Sequence, residues 1–320
     1  MGWRRNAIRR IHIAWLMVVI LATSCIGTNS GGSPESSEDQ WSIGIYRSDN
    51  PFHFGALQSL INPRFTAKDV TNMRAAFVAD PFLVKEDKTW YLFFEVFNKD
   101  TKQGDLAVAT STNTWTWKYE DVVLDEPFHL SYPYVFKWQD QYYMIPETAA
   151  ANSIRLYRSN NFPTRWTFVK TLISGRPYVD NSIAFFHGKW WLFSSTIDND
   201  TLYLHYADSL QGPWQTHPRS PLIKGNDHIS RPGGRILLYQ DKLYRFAQDD
   251  DPWYGKQLWA FEITELTPTR YQEKRVQAEP VLAASDRGWN ATGMHQIDAV
   301  QVGPGSWIAA VDGNSGQPTP

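Results

Sequence analysis

Cysteine is almost absent: Cys25 is the only one in 320 residues, so no disulfide within the chain can staple it. Neither sign of charge dominates, with 31 basic against 33 acidic residues, and no dense basic face points to nucleic acid. The apolar run from Ile13 to Ala22 spans only ten residues, about 15 Å of helix, too short to cross a bilayer comfortably. Glycine-rich phosphate loops, Ser/His/Asp hydrolase signatures and CxxC metal pairs are missing as well. These absences exclude a disulfide scaffold, a nucleic-acid binder and the common nucleotide-dependent chemistries.

Aromatic residues are what the chain has in quantity, with 15 tryptophans and 15 tyrosines. Most are expected to pack between sheets; the remainder suit the apolar faces of sugar rings. The first residues read as a targeting segment. Arg4, Arg5, Arg9 and Arg10 precede the apolar run, and Leu21-Ala22-Thr23-Ser24-Cys25 resembles a bacterial lipobox. The expectation is a lipoprotein signal peptide over 1–24, acylation of Cys25, a flexible Gly/Ser/acidic tether over 25–40, and a folded domain over 41–320. Loss of the four arginines leaves 27 basic against 33 acidic residues, a formal charge of −6. The predicted location is outside the cell, lipid-anchored to a bacterial envelope, with the membrane and a carbohydrate as partners and the protein a monomer.

An internal repeat fixes the predicted architecture. Ala79-Asp80-Pro81-Phe82, Ser131-Tyr132-Pro133-Tyr134, Val179-Asp180-Asn181-Ser182 and Ser230-Arg231-Pro232-Gly233 recur at intervals of about fifty residues. Each opening leads into a short apolar strand, a polar turn, an aromatic strand, a third strand and a fourth near an aromatic. Four short strands per unit describe a propeller blade. The ends of the chain supply a fifth unit. Residues 298–302 and 307–312 reproduce strands one and two, whereas Ser42–Ser48 resembles the third strand Ser153–Ser159. The fold class predicted is therefore all-β, a five-bladed β-propeller whose last blade is closed by N- and C-terminal strands, leaving no open edge.

In such a ring, residues that open first strands or end second strands converge on the axis. Asp80, Glu95, Glu147 and Asp180 are the candidate catalytic carboxylates, because glycoside hydrolysis needs one protonated and one ionised carboxyl around the scissile bond. Asp80 leads, with Pro81 expected to hold it extended; Glu147 is a candidate acid and Glu95 its counterpart in the first blade. Tyr132, Arg231, Trp253, His295 and Asp298 are candidate substrate-binding residues. No cofactor is required, although Asp249-Asp250-Asp251 could bind calcium through hard oxygen ligands. Each of these residues also has a plainer reading as a turn cap, ion pair or solvated loop.

Ala76–Val84, Thr89–Asn98, Ser131–Phe136 and Met144–Thr148 carry a family resemblance. The aspartate-opened first blade resembles the five-bladed propellers of glycoside hydrolase family 43. More closely, residues 41–313 resemble the propeller N-terminal in plant glucosamine inositolphosphorylceramide transferases. The family 43 resemblance implies an aspartate base at Asp80. It also implies an aspartate opening the second blade, where Tyr132 stands, and a glutamate acid in the third, where Asp180-Asn181-Ser182 stands. Two departures in three positions leave two routes open: other carboxylates have taken over, or the domain binds without cleaving. The transferase domain that accompanies the plant propeller has no counterpart in these residues, so transfer is not expected. A glycosidase, a non-catalytic glycan binder and a protein-interaction propeller follow in that order.

Overall fold

The structure, a computed structural model, describes residues 40–54 and 61–317. The proposed leader, Cys25 and nearly all of the tether lie outside the described residues. Five antiparallel sheets form the blades of a propeller. Blade one runs Ala75–Glu86, Thr89–Asn98, Gln103–Ser111 and Lys118–Leu124 from axis to rim. Blade two is Ser131–Trp138, Gln141–Glu147, Ser153–Asn161 and Arg165–Ser174. Blade three is Tyr178–Phe186, Lys189–Thr196, Leu202–Ala207 and the two-residue Gln215–Thr216. Blade four comprises Leu237–Tyr239, Lys242–Asp249, Gln257–Leu266 and Tyr271–Arg275.

The last blade joins both ends of the chain. Trp41–Ser48 pairs antiparallel with Ser306–Asn314, in the register Ile43↔Asp312 to Ser48↔Trp307, and Ile297–Gly303 lies inside them. The ring closes through strands from opposite ends of the sequence, as the repeat predicts. Among the described residues this blade has three strands, without the rim strand of the others.

Each sheet is apolar on both faces because it is packed between two neighbours. In the second strand of blade one, Trp90, Leu92 and Phe94 face the closing blade, where they meet Ile43, Phe65 and Ile308. Phe93 turns the other way, into a cluster with Tyr134, Met144 and Leu156 of blade two. Such close packing leaves polar groups two places to go, the rim and the axis.

At the axis the first strands are bulged. Register jumps at Ala79/Phe82, Ser131/Tyr134 and Val179/Ser182 leave two residues off the ladder in blades one to three. Asp80, Tyr132 and Asp180 sit there with φ of 53°, 49° and 49°. This corrects one expectation: Asp80 is left-handed, not extended, because the bulge has to turn its peptide out of the strand. A non-glycine residue in that region costs on the order of 1–2 kcal/mol, so each bulge must be held by bonds from elsewhere.

Candidate active site

Those bonds come from neighbouring blades. Asp312, ending the second strand of blade five, accepts the Asp80 N–H through Oδ2 at 3.1 Å. Its Oδ1 accepts the N–H groups of His295 and Gln296 at 3.1 and 3.0 Å. Glu147, ending the second strand of blade two, accepts the Asp180 N–H at 3.3 Å. At these two junctions a side chain late in strand two holds the opening residue of the next blade, whereas Ser195 and Gln248, at the corresponding places in blades three and four, bond the Thr201 and Pro232 carbonyls.

The junction between blades one and two is made differently again. The Tyr132 N–H that opens blade two goes to Asp80 Oδ2, at 3.1 Å. Glu95, late in strand two of blade one, is not the acceptor here, unlike Asp312 and Glu147 at their junctions. It lines an open cavity of about 550 Å³ at the hub, and its buried Oε1 has no hydrogen-bond partner.

Around that cavity stand Asp80, Glu95, Glu147, Arg231 and His295, five of the residues picked out from the repeat. Arg231 anchors the floor: Nε donates to Asp180 Oδ2 at 2.5 Å, Nη2 lies 3.8 Å from Glu147 Oε2, and Nη1 donates to Asn199 Oδ1 at 2.8 Å. Asp180 also accepts from Gln248 at 2.6 Å, so it sits behind Arg231 and not on the cavity wall. His295 Nδ1 lies 2.8 Å from Asp312 and its Nε2 3.7 Å from Asp80.

Burial sets the protonation states. It pushes Asp80 up to about 7, against the pull of His295 and with further push from Asp180 and Asp312. Burial raises Glu95 well above the carboxylate range, helped by Asp80, Glu147 and Asp180. Glu147 is raised for the same first reason, reinforced by Asp180. For His295, burial works downward, but Asp312 outweighs it and the imidazole is held up at about 9. Near neutrality the site therefore holds protonated glutamic acids beside an aspartate poised between its two states, the division of labour that acid–base chemistry requires.

Several wall residues carried no signal in the repeat. Trp41 stacks on His295 with centroids 4.0 Å apart, and Tyr254 meets the edge of that ring at 5.2 Å and the Arg231 guanidinium at 5.0 Å. Phe77 and Phe97 stack at 5.1 Å on the blade-one side, next to Lys99 and Lys102. His129, from the loop into blade two, completes the wall.

The remaining candidates lie elsewhere. Tyr132 is buried in the channel, its hydroxyl 2.8 Å from Ser182 Oγ and 3.0 Å from the Gly234 carbonyl. Asp298 is bound to Arg235 at 2.7 Å and accepts the Leu83 N–H at 2.6 Å, so it ties blades together further along the channel. Trp253 donates to the Thr292 carbonyl and lies off the cavity wall; its neighbour Tyr254 occupies the wall instead. In the loop offered for calcium, Asp249 faces the donors of His228, Gln257 and Trp259, and Asp250 Oδ1 accepts the Gly255 N–H. Among the described residues, Asp80, His295 and Asp312 bring one ligand atom each within 4.8 Å of the others. Asp312 holds the His295 imidazole up at about 9, so these three groups form an ion-paired cluster.

Comparison with known proteins places this geometry in context. The family model for the N-terminal region of glucosamine inositolphosphorylceramide transferase 1 matches residues 33–314. The chain is 35% identical over 306 residues to the rice (Oryza sativa subsp. indica) protein of that name, and 34% identical over 317 residues to that of Arabidopsis thaliana. These alignments cover 88% and 91% of the chain but 41% of each relative. Among solved structures, the catalytic domain of the Coprinopsis cinerea GH62 α-L-arabinofuranosidase superposes with a TM-score of 0.60. It is 14% identical and covers 87% of this chain and 98% of its own. An α-L-arabinanase mutant from Cellvibrio cellulosa gives 0.54 at 19% identity, covering 74% of this chain and 86% of its own. At such identities the likeness is one of fold. The plant relatives overturn one expectation. Anchoring in a bacterial envelope presupposes bacterial machinery acting on the lipobox at Cys25, and the curated proteins this chain matches are eukaryotic.

Proposed function

Starting from the fact that the chain belongs to the glucosamine inositolphosphorylceramide transferase 1 N-terminal family, we propose that its hub cavity binds a sugar of a glycoconjugate and hydrolyses its glycosidic bond. The observation that carries this reading is the position of Glu95 at the blade one–two junction. Asp80 replaces Glu95 as the structural acceptor, and a buried, protonated glutamic acid is left facing a cavity. Glu95 donates its proton to the leaving oxygen. Asp80, ionised beside the His295 imidazolium, activates water or attacks the anomeric carbon. Arg231 and Glu147 hold hydroxyls, and Trp41, Tyr254, Phe77 and Phe97 pack against the sugar's C–H faces. Glycosidases built on the same fold support the chemistry, and the relatives' name, glucosamine inositolphosphorylceramide transferase, supports the substrate class.

The test is release of reducing sugar from a glycan panel that includes inositol-phosphate glycolipids. Glu95→Gln and Asp80→Asn should each lower turnover by about 10²-fold or more. Turnover that survives both substitutions would remove the assignment. The aromatic wall also favours a second reading, saturable glycan binding without cleavage; it predicts a dissociation constant unchanged by Glu95→Gln and no product.

A further inference from the structure

Two residues beside Glu95, Gly104 in the third strand of blade one and His129 in the loop into blade two, remain without a task in the chemistry above. Gly104 approaches Glu95 so closely that a Cβ there would stand 2.5 Å from Oε1 and 2.3 Å from the Leu130 carbonyl. Its N–H donates to His129 Nδ1 at 2.9 Å, and its carbonyl accepts the Leu130 N–H at 2.9 Å. The His129 ring is thereby fixed between two backbone bonds of one short span.

The first of these bonds decides a tautomer. Nδ1 accepts a hydrogen bond, so it carries no proton, and in a neutral imidazole the proton must be on Nε2. The ring is neutral because burial and the Arg231 charge lower its basicity. Nε2 lies 3.7 Å from Glu95 Oε1, the oxygen that is sealed from solvent and otherwise unpartnered.

We infer that His129 is the positioning residue for Glu95: its Nε2–H is aimed at Oε1, so the carboxyl proton resides on Oε2, the oxygen on the cavity side. This rests on the glycosidase reading for its consequence but not for its geometry. The charged and titratable groups that share the cavity with Glu95 or act on it are Asp80, Glu147, Asp180, Arg231, His129, His295, Lys99 and Lys102. Of these, His129 bonds the backbone of Gly104, where a Cβ would stand 2.5 Å from Oε1. Gly104 is part of the same device, because any side chain there would occupy the space between ring and carboxyl. With one oxygen facing a donor, the acid offers its proton in a single direction, which is what protonating a leaving group at a fixed position demands.

The experiment reads protons on the full chain. Nitrogen-15 NMR of the histidine rings should find His129 neutral, with Nδ1 bare and Nε2 protonated. The opposite tautomer would overturn the inference directly. Infrared titration should show a protonated carboxyl near neutral pH that Glu95→Gln removes. In His129→Asn, which keeps an acceptor for the Gly104 N–H but withdraws the donor near Oε1, that signal should titrate at higher pH by about half a unit or more, because the ionised form loses its nearest donor. His129→Gln, which returns an amide donor near the Nε2 position, should restore it. An unmoved titration in a folded His129→Asn variant, judged by an unchanged melting temperature, refutes the role. If the titration moves while wild type turns over no glycan, the glycosidase reading fails and the positioning stands.

Discussion

Asp312 shows how much one side chain can hold. Its two oxygens bind three backbone N–H groups and sit against the His295 imidazolium, all inside the hub. Removing one member of a buried pair strands the other, typically at about 3–5 kcal/mol. Asp312→Ala should destabilise the fold by that order in urea unfolding, well beyond Glu95→Gln, which breaks no junction. Protonation gives a second expectation. His295 rises from about 6.5 in an unfolded chain to about 9 in the fold, so its stabilisation is complete below about 6.5 and is lost as pH climbs through 9. Asp80 rises from about 3.9 to about 7; folding takes up a proton there too, and that contribution fades between those values. Both slopes run the same way. The melting temperature should therefore fall from pH 6 to pH 9, and Asp312→Asn should flatten the part belonging to His295. A melting temperature that rises over this range would mean the hub imidazole is not held by carboxylates.

At the scale of the strand and its bulge, the sequence was legible in its pattern and illegible in its consequences. The four openings and the two-faced apolar strands follow from side-chain periodicity, and the ladders reproduce them. Proline after Asp80 suggested an extended backbone; the bulge instead requires a positive φ, a matter of neighbouring-blade geometry that local propensity does not encode. Blade four departs as well. Pro232, Gly233 and Gly234 keep its opening out of the regular ladder, and its first strand begins only at Leu237. Tyr254 was missed in favour of Trp253 because a loop has no period to tell which of two adjacent aromatics turns inward. His129 and Trp41 were missed for a related reason: one lies in a connection between blades, and the other reaches the cavity only because the ring closes. Gly104 offers the test at this scale. Gly104→Ala should cost about 1–3 kcal/mol through overpacking and displace Glu95, lowering any turnover further than its loss of stability explains.

For the whole molecule, closure is the condition that brings distant acids together. Asp80 and Asp312 are 232 positions apart and share a hydrogen bond only because Trp41–Ser48 completes the last blade. Deleting those eight residues leaves Ser306–Asn314 as an exposed edge, the kind of surface that pairs with other chains. The truncated protein should lose cooperative unfolding and aggregate in size-exclusion runs; a folded monomer would show that the ring holds without its seam. Closure also gathers the described ends of the chain near the cavity, since Gln40 bonds Asn314 and Trp41 lines the wall.

The account turns on whether a protonated Glu95 meets a glycosidic bond in that cavity. Proton NMR of an inositol-phosphate glycan incubated with the full chain reads this directly. The account predicts that the glycan's anomeric signal decays, a free hemiacetal signal grows in its place, and both changes vanish in Glu95→Gln. An anomeric signal that only broadens, equally in wild type and variant, would contradict it and leave the hub a binding site.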